Sequence, residues 1–280
     1  MARRLALALL ASLLGWAVLA RPARAQVQGG GGLVETRTPP WRLQPKRWFF
    51  ATRVDLGFVF LRPRISLGYG QPHARWLGID INPIVSGEGL GAYGGLRFAL
   101  PYLDLRVGGR WRFFTFRRSF LEQKDRYIRE DIELRDGPKS RYAALEAELT
   151  GNFPIRKLSL LQFELAGSYV IGVPDGYNVY EEDIRVVLEP PWVWRARVGY
   201  AFRLLREDAL TVGLLVEIVH NPGRDKFAIR GGVRMALRIR YDLDMRLAFI
   251  PVLVSKDSLG AAGGDVFLIG LRWRWATGQP

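Results

Sequence analysis

Between residues 47 and 277, apolar and polar positions alternate with a period of two, segment after segment. No stretch of comparable length carries the period of an amphipathic helix. The pattern is strongest in YLDLRVGGRWRFF (102–114), where Asp104, Arg106, Arg110 and Arg112 alternate with Leu103, Leu105, Val107, Trp111 and Phe113. The periodicity predicts twelve strands, over 48–60, 63–70, 75–82, 89–100, 103–117, 141–152, 158–172, 191–204, 209–220, 226–240, 243–254 and 265–276, with ten as the alternative count. Most run about 10 residues or slightly more, the length a tilted strand needs to cross a bilayer core.

The connections alternate in length. The even-numbered ones (71–74, 101–102, 153–157, 205–208 and 241–242) are short, whereas 118–140, 173–190 and 255–264 are long. The first connection, Leu61-Arg62, breaks the rule by being very short and leaves the boundary of the first two strands open.

The two faces of these strands differ in charge. One face, beginning Trp48, Phe50, Val54, Leu56 and Phe58, has charges only at Arg75, Arg117, Arg141 and Asp265, all at strand ends. An Arg or Lys facing lipid at the bilayer midplane costs about 2–4 kcal/mol, so this is the face a membrane would select. The opposite face carries 17 basic and 9 acidic residues. Among them are Arg53, Arg97, Arg106, Arg110, Arg112, Glu146, Glu148, Glu164, Arg195, Arg197, Glu217, Arg230, Arg234, Arg238, Asp244 and Arg272, the candidate lumen-lining set. Backbone groups in hydrocarbon must all find partners, so such strands have to close on one another. The expected fold class is all-β, a transmembrane antiparallel up-and-down β-barrel.

The last predicted strand contains Leu268-Ile269-Gly270-Leu271-Arg272-Trp273-Arg274-Trp275. Gly270, Trp273 and Trp275 resemble the C-terminal signal by which the barrel assembly machinery recognises bacterial outer-membrane β-barrel proteins. Leu268 departs from that pattern, and the signal stops five residues before the end. The resemblance covers residues 47–277 and selects no family within the group. It implies a Gram-negative outer-membrane location, with lipid and lipopolysaccharide as surroundings. Trp48, Trp76, Trp192, Trp194, Tyr200, Trp273 and Trp275 fall near strand ends, where interfacial aromatic girdles are expected.

The N-terminus agrees with export. Arg3-Arg4, an apolar run and the small pair Ala23/Ala25 read as a cleavable signal peptide over residues 1–25. Residues 26–46, with a four-glycine run and Pro39, Pro40 and Pro45, read as a flexible periplasmic lead-in, followed by the barrel over 47–277. The formal net charge is +14, about +10 once the four leader arginines are removed. For an exported chain this excess belongs to the strand face that carries it, and no nucleic-acid partner is expected. Without cysteine there is no disulfide, thiol nucleophile or cysteine-bound metal.

Candidate catalytic chemistry is sparse, and none is assigned. Of the two histidines, His73 lies in a short turn with no carboxylate in sequence beside it. His220, in VHNPGR (219–224), stands at the end of the ninth strand, where barrel lipases keep a histidine, but Asn221, Pro222 and Gly223 follow it instead of a serine to activate. Gly94-Gly95, Gly108-Gly109 and Gly231-Gly232 lie in strands and introduce no helix, so they read as bends or close approaches rather than phosphate loops. The acidic stretch Glu181-Glu182-Asp183, with Tyr177 and Tyr180, reads as a solvated loop, with divalent cations beside lipopolysaccharide as the alternative. No metal or cofactor is expected.

Function therefore rests on the lumen. Arginine-rich and acid-rich strands neighbour one another, so many charges can pair. The positive surplus remains, and unpaired guanidinium groups in a twelve-strand lumen attract anions. The first reading is a porin-like channel or binding barrel for small anionic solutes, resembling in its arginine-lined lumen the monomeric porins for acidic oligosaccharides. The alternatives are an envelope-lipid enzyme using His220 and a filled structural barrel.

Overall fold

The computed structural model describes residues 44–278 except 58–59, 87–88, 116–117, 134–136, 157 and 206–208. The leader and nearly all of the lead-in lie outside the described residues, as does Arg117. The barrel wall is built from β1 (Arg47–Gly57), β2 (Phe60–Gln71), β3 (Arg75–Ser86), β4 (Gly89–Ala99), β5 (Leu103–Thr115), β7 (Tyr142–Arg156), β8 (Ser159–Ile171), β11 (Trp192–Leu204), β12 (Leu210–Asn221), β13 (Lys226–Arg238), β14 (Leu243–Ile250) and β16 (Asp265–Ala276). Consecutive wall strands pair antiparallel except that β16 pairs with both β14 and β1, which closes a ring of twelve. A short β15 (Val252–Ser255) continues β14 beyond Pro251.

The twelve strands follow the periodicity, but β3 and β7 run four residues past their expected ends, to Ser86 and Arg156, the eleventh is broken at Pro251, and the boundary of the first two is displaced. Leu61 and Arg62 are not a turn: they lie inside β2, opposite Leu56 and Asp55 of β1. The outer face is even-numbered in β1 and odd-numbered in β2, and the apolar run Phe58-Val59-Phe60-Leu61 gives alternation no polar position at which to mark the switch.

Burial is inverted relative to a soluble protein. Leu77, Ile79 and Ile81 of β3 and Leu214 and Val216 of β12 are exposed, whereas Asp80, Glu217 and Arg230 are buried. Aromatic pairs band the outside near both ends. Trp48 meets Tyr69 at 5.7 Å and Phe153 stacks on Phe163 at 5.8 Å near one rim, while Tyr169 meets Trp192 at 4.8 Å near the other. Trp76 does not belong to a girdle. It is buried against Phe49, with Ala51, Ala99 and Ala276, in an apolar cluster at the short-turn end.

Asp265 also departs from expectation. Its alternation puts it on the lipid side, yet its carboxylate pairs with Arg185 at 2.9 Å and lies 3.9 Å from Arg197. Ala248 faces Leu268 and Ile250 faces Asp265, so β16 holds one extra residue between these pairs, and the bulge reverses the side on which Asp265 emerges.

Two of the long connections, with 256–264, assemble a cap over one end. They carry β6 (Leu121–Glu122), a helical turn α1 (Arg129–Ile132), β9 (Tyr177–Glu181) and β10 (Val186–Leu188), with β6, β9 and β10 forming a small sheet. The 172–191 connection turns at Gly172 and Gly176, whose φ values of 89° and 80° suit glycine. Its Val179, Ile184, Val186 and Leu188 pack against Tyr142, Ala144, Val170, Val193, Val219 and Ala228 of the wall. These wall residues share the parity of the arginines and glutamates, so the connection is folded into the barrel.

Candidate functional site

The interior charges form four connected groups. On β2–β5, Asp80 accepts from Ser66 at 2.5 Å and pairs with Arg97 at 3.2 Å and Arg64 at 3.6 Å, and Arg97 also grips Asp104 at 2.6 Å. Gly95 and Gly108 stand opposite each other and leave the Tyr93 ring room to lie on the wall, with the Arg106 guanidinium 4.4 Å above its centre. Side chains at those glycines would collide with the Tyr93 hydroxyl. The reading of these glycines as close approaches therefore holds.

The second group joins β5 to the inserted connection. Arg106 pairs with Glu148 at 3.4 Å, and Arg110 donates to Glu146 at 2.6 Å. Arg110 further pairs with Glu181 at 2.8 Å and Asp183 at 3.2 Å, and Arg112 pairs with Glu182 at 2.7 Å. The Tyr142 hydroxyl donates to Glu181 at 2.8 Å, and Arg62 holds Asp183 at 2.8 Å. Glu181-Glu182-Asp183 is thus neither a solvated loop nor a cation site. Strong positive potential from β5 and the apolar anchors on either side draw it inward.

The third group centres on Glu217, which accepts from Arg197 at 2.7 Å and from Arg230 at 2.6 Å. Glu164 pairs with Arg195 and Arg197 and lies 4.0 Å from Arg234. The second Arg230 nitrogen donates to the Arg185 carbonyl at 2.9 Å, which fastens the inserted connection to β13. In the fourth group Asp55 pairs with Arg272 and, at 3.2 Å, with Arg53, while Asp244 pairs with Arg274 at 2.5 Å and Arg246 at 3.7 Å. Arg238 stands opposite Asp244 in the β13–β14 register.

All sixteen lumen candidates lie on the inner parity of the wall. Alternation did not pick out Arg62, Arg185, Asp265 and the 181–183 acids. The signal available was an acidic triplet placed between two arginine-rich strands. Arg62 and Arg185 offset two of the four added carboxylates, so the interior excess falls only from eight to six. Arg234 and Arg246 keep 41% and 44% of their side chains exposed.

Gly270, Trp273 and Trp275 lie on β16, with both tryptophans on the outer face. His220 points outward into an aromatic cluster, stacked on Phe227 at 4.0 Å and edge-on to Trp194 at 5.3 Å. Asp225 is 3.9 Å away, and no hydroxyl nucleophile accompanies it among the described contacts. His73 donates from its ring to the Trp275 carbonyl at 3.1 Å, and burial pushes its imidazole down to about 4. Among the described residues no group of three or more potential metal ligands occurs.

No family model and no curated protein matches the chain. Solved structures similar to it include the NanC porin (8% identity, 83% of this chain and 100% of that one, TM-score 0.37). They also include the KdgM porin in complex with disordered oligogalacturonate (8% identity, 80% and 98%, TM-score 0.41) and OmpT of Vibrio cholerae in its trimer form (9% identity, 82% and 99%, TM-score 0.35). The closed ring of twelve antiparallel strands, apolar outside and charged inside, is the architecture of bacterial outer-membrane β-barrel proteins.

Proposed function

We infer that the protein is a porin-like channel whose lumen takes up small anionic solutes. The observation that carries this reading is the exposure of Arg234 and Arg246 inside the barrel, with their nearest carboxylates no closer than 4.0 Å and 3.7 Å. Arginine rings favour anions by Coulomb attraction, which screening limits to about 10 Å at 0.1 M salt. The acidic segment 181–183, part of the inserted connection, occupies the barrel interior against Arg62, Arg110 and Arg112. Conduction by the intact protein is therefore small, and rises when that segment is released. Export through the 1–25 leader, assembly through Gly270, Trp273 and Trp275, and a lipopolysaccharide surround belong to the same reading.

Reversal potentials in planar bilayers under a salt gradient test it. The expected result is anion preference that declines with rising salt and is reduced by the double substitution Arg234→Gln/Arg246→Gln. Cation preference would overturn the reading. So would the absence of conductance in both the intact protein and the triple variant Glu181→Gln/Glu182→Gln/Asp183→Asn, which would leave the filled structural barrel. The enzymatic alternative loses ground because His220 sits among lipid-facing rings without a nucleophile.

A further inference from the structure

The wall is interrupted at the capped end. β14 pairs on both sides, but beyond Pro251 the chain resumes as β15, which among the described residues pairs with β13 alone. A register shift at Ile229/Arg230 accompanies the break. The vacated edge is approached by the 3-10 turn Gly260–Gly263, where Gly263 packs on Val252 and Gly264 on Ile250 and Pro251. An open sheet edge is costly in hydrocarbon, so a barrel keeps one only where something covers it.

A cavity of about 510 Å³ lies at this break, within the size range of small-molecule sites. Its lining mixes the two faces of the wall. Ala228, Arg230 and Val252 come from the inner face, while Leu253, 62% exposed, comes from the outer one. The cavity therefore communicates with the lipid side. Val186, Pro251, Leu259 and Val266 add apolar wall, while Ser255, Ser258 and Asp257, whose carboxylate is held by Arg224 at 2.6 Å, add polar wall. At its inner end the Arg230 side chain is 4% exposed, and its Nε has no hydrogen-bond partner. Arg185, whose Nε pairs with Asp265 at 2.9 Å, stands beside it with 26% of its side chain exposed.

We propose that this rim cavity binds an anionic single-chain amphiphile entering sideways from the membrane, its chain along Val252, Leu253 and Leu259 and its headgroup at Arg185 and Arg230. A carboxylate or phosphate headgroup meets the same guanidinium groups. The apolar stretch along Val252, Leu253 and Leu259 favours a long-chain anion over the small hydrophilic anions of the lumen.

The test uses purified protein in vesicles, with a spin-labelled sixteen-carbon fatty acid as probe. The matching methyl ester serves as the neutral control, and spin-labelled phosphatidylglycerol as the two-chain anionic lipid. The expected result is an immobilised spectral component for the fatty acid, at least five-fold weaker for the ester and for the phospholipid. Ala261→Trp, which blocks the mouth from an exposed position of the turn, removes that component, and Arg185→Gln weakens it several-fold. Equal immobilisation of acid and ester would overturn the headgroup assignment and with it the proposal. Immobilisation that survives Ala261→Trp would place the probe on the general lipid-facing wall and also overturn it. A heat-modifiable gel band establishes that each variant is folded. Anion conductance is read separately on the same preparations, so failure here leaves the channel reading standing.

Discussion

Arg110 of β5 and Glu181 of the inserted connection meet at 2.8 Å with 3% and 0% of their side chains exposed. Arg110 also holds Glu146 and Asp183, and Glu181 also accepts from Tyr142. The pair is therefore the junction at which wall and connection share one charge network. Removing one partner of a buried pair leaves the other charge uncompensated, at a cost of about 3–5 kcal/mol.

Glu181→Leu accordingly lowers barrel stability by that amount, read as an earlier urea midpoint of the heat-modifiable band. Arg110→Met in the same chain removes the uncompensated guanidinium but also takes a partner from Glu146 and Asp183, so the double variant stays less stable than the unaltered protein while losing less than the sum of the singles. If the double variant is as unstable as the sum of the singles, the two residues are not coupled as the geometry requires.

The barrel was legible because lipid outside and charge inside impose one period on every strand, and each strand repeats the test. Asp265 was misread because one extra residue in β16 reverses parity, and alternation carries no mark of a bulge. Leu61-Arg62 was misplaced because Phe58-Val59-Phe60-Leu61 is a continuous apolar run with no polar position to mark where the two faces exchange parity. The inserted connection was invisible for a different reason. Its inward course is set by contacts such as Val179 with the wall and Glu181 with Arg110, between segments far apart in sequence and without a period of their own.

The cap has its own keystone. Arg224 donates to Asp257 at 2.6 and 2.9 Å, stacks over Tyr127 at 4.7 Å and reaches the carbonyls of Val187 and Asp125. Asp257 in turn accepts from the Tyr127 backbone at 2.9 Å. Arg224→Ala removes all of these at once and leaves the buried Asp257 carboxylate unpaired, costing the cap about 3–5 kcal/mol. Added protease is expected to cut within 118–140 and 256–264 of the variant, while the transmembrane strands stay resistant. Resistance equal to that of the unaltered protein would show the cap to be held by its apolar contacts alone.

His73, in the turn between β2 and β3, gives a pH dependence of definite sign. Burial holds its imidazole at about 4, below the ordinary histidine value of about 6.5, so the folded state binds the proton less readily than the unfolded chain does. The contribution to stability is complete above about pH 6.5 and is lost as the pH falls toward 4. Unfolding midpoints measured across that window should decline for the unaltered protein and decline less for His73→Gln. Parallel pH profiles would mean that the ring titrates freely in the folded protein.

Val198 sits at the centre of β11, 57% exposed, between Phe163 of β8 and Val216 of β12. Its neighbour Arg197 is turned inward onto Glu217. If the exposed face meets hydrocarbon, Val198→Arg buries an unpaired guanidinium near the midplane and lowers folding stability in bilayers by about 2–4 kcal/mol, whereas Val198→Leu changes it little. Moving the same arginine to the strand end, as Leu204→Arg, costs less, because near the interface the side chain can reach water. Reversible unfolding in vesicles measures all three. Equal stability for Val198→Arg and Val198→Leu would mean that water, not lipid, lies against β11.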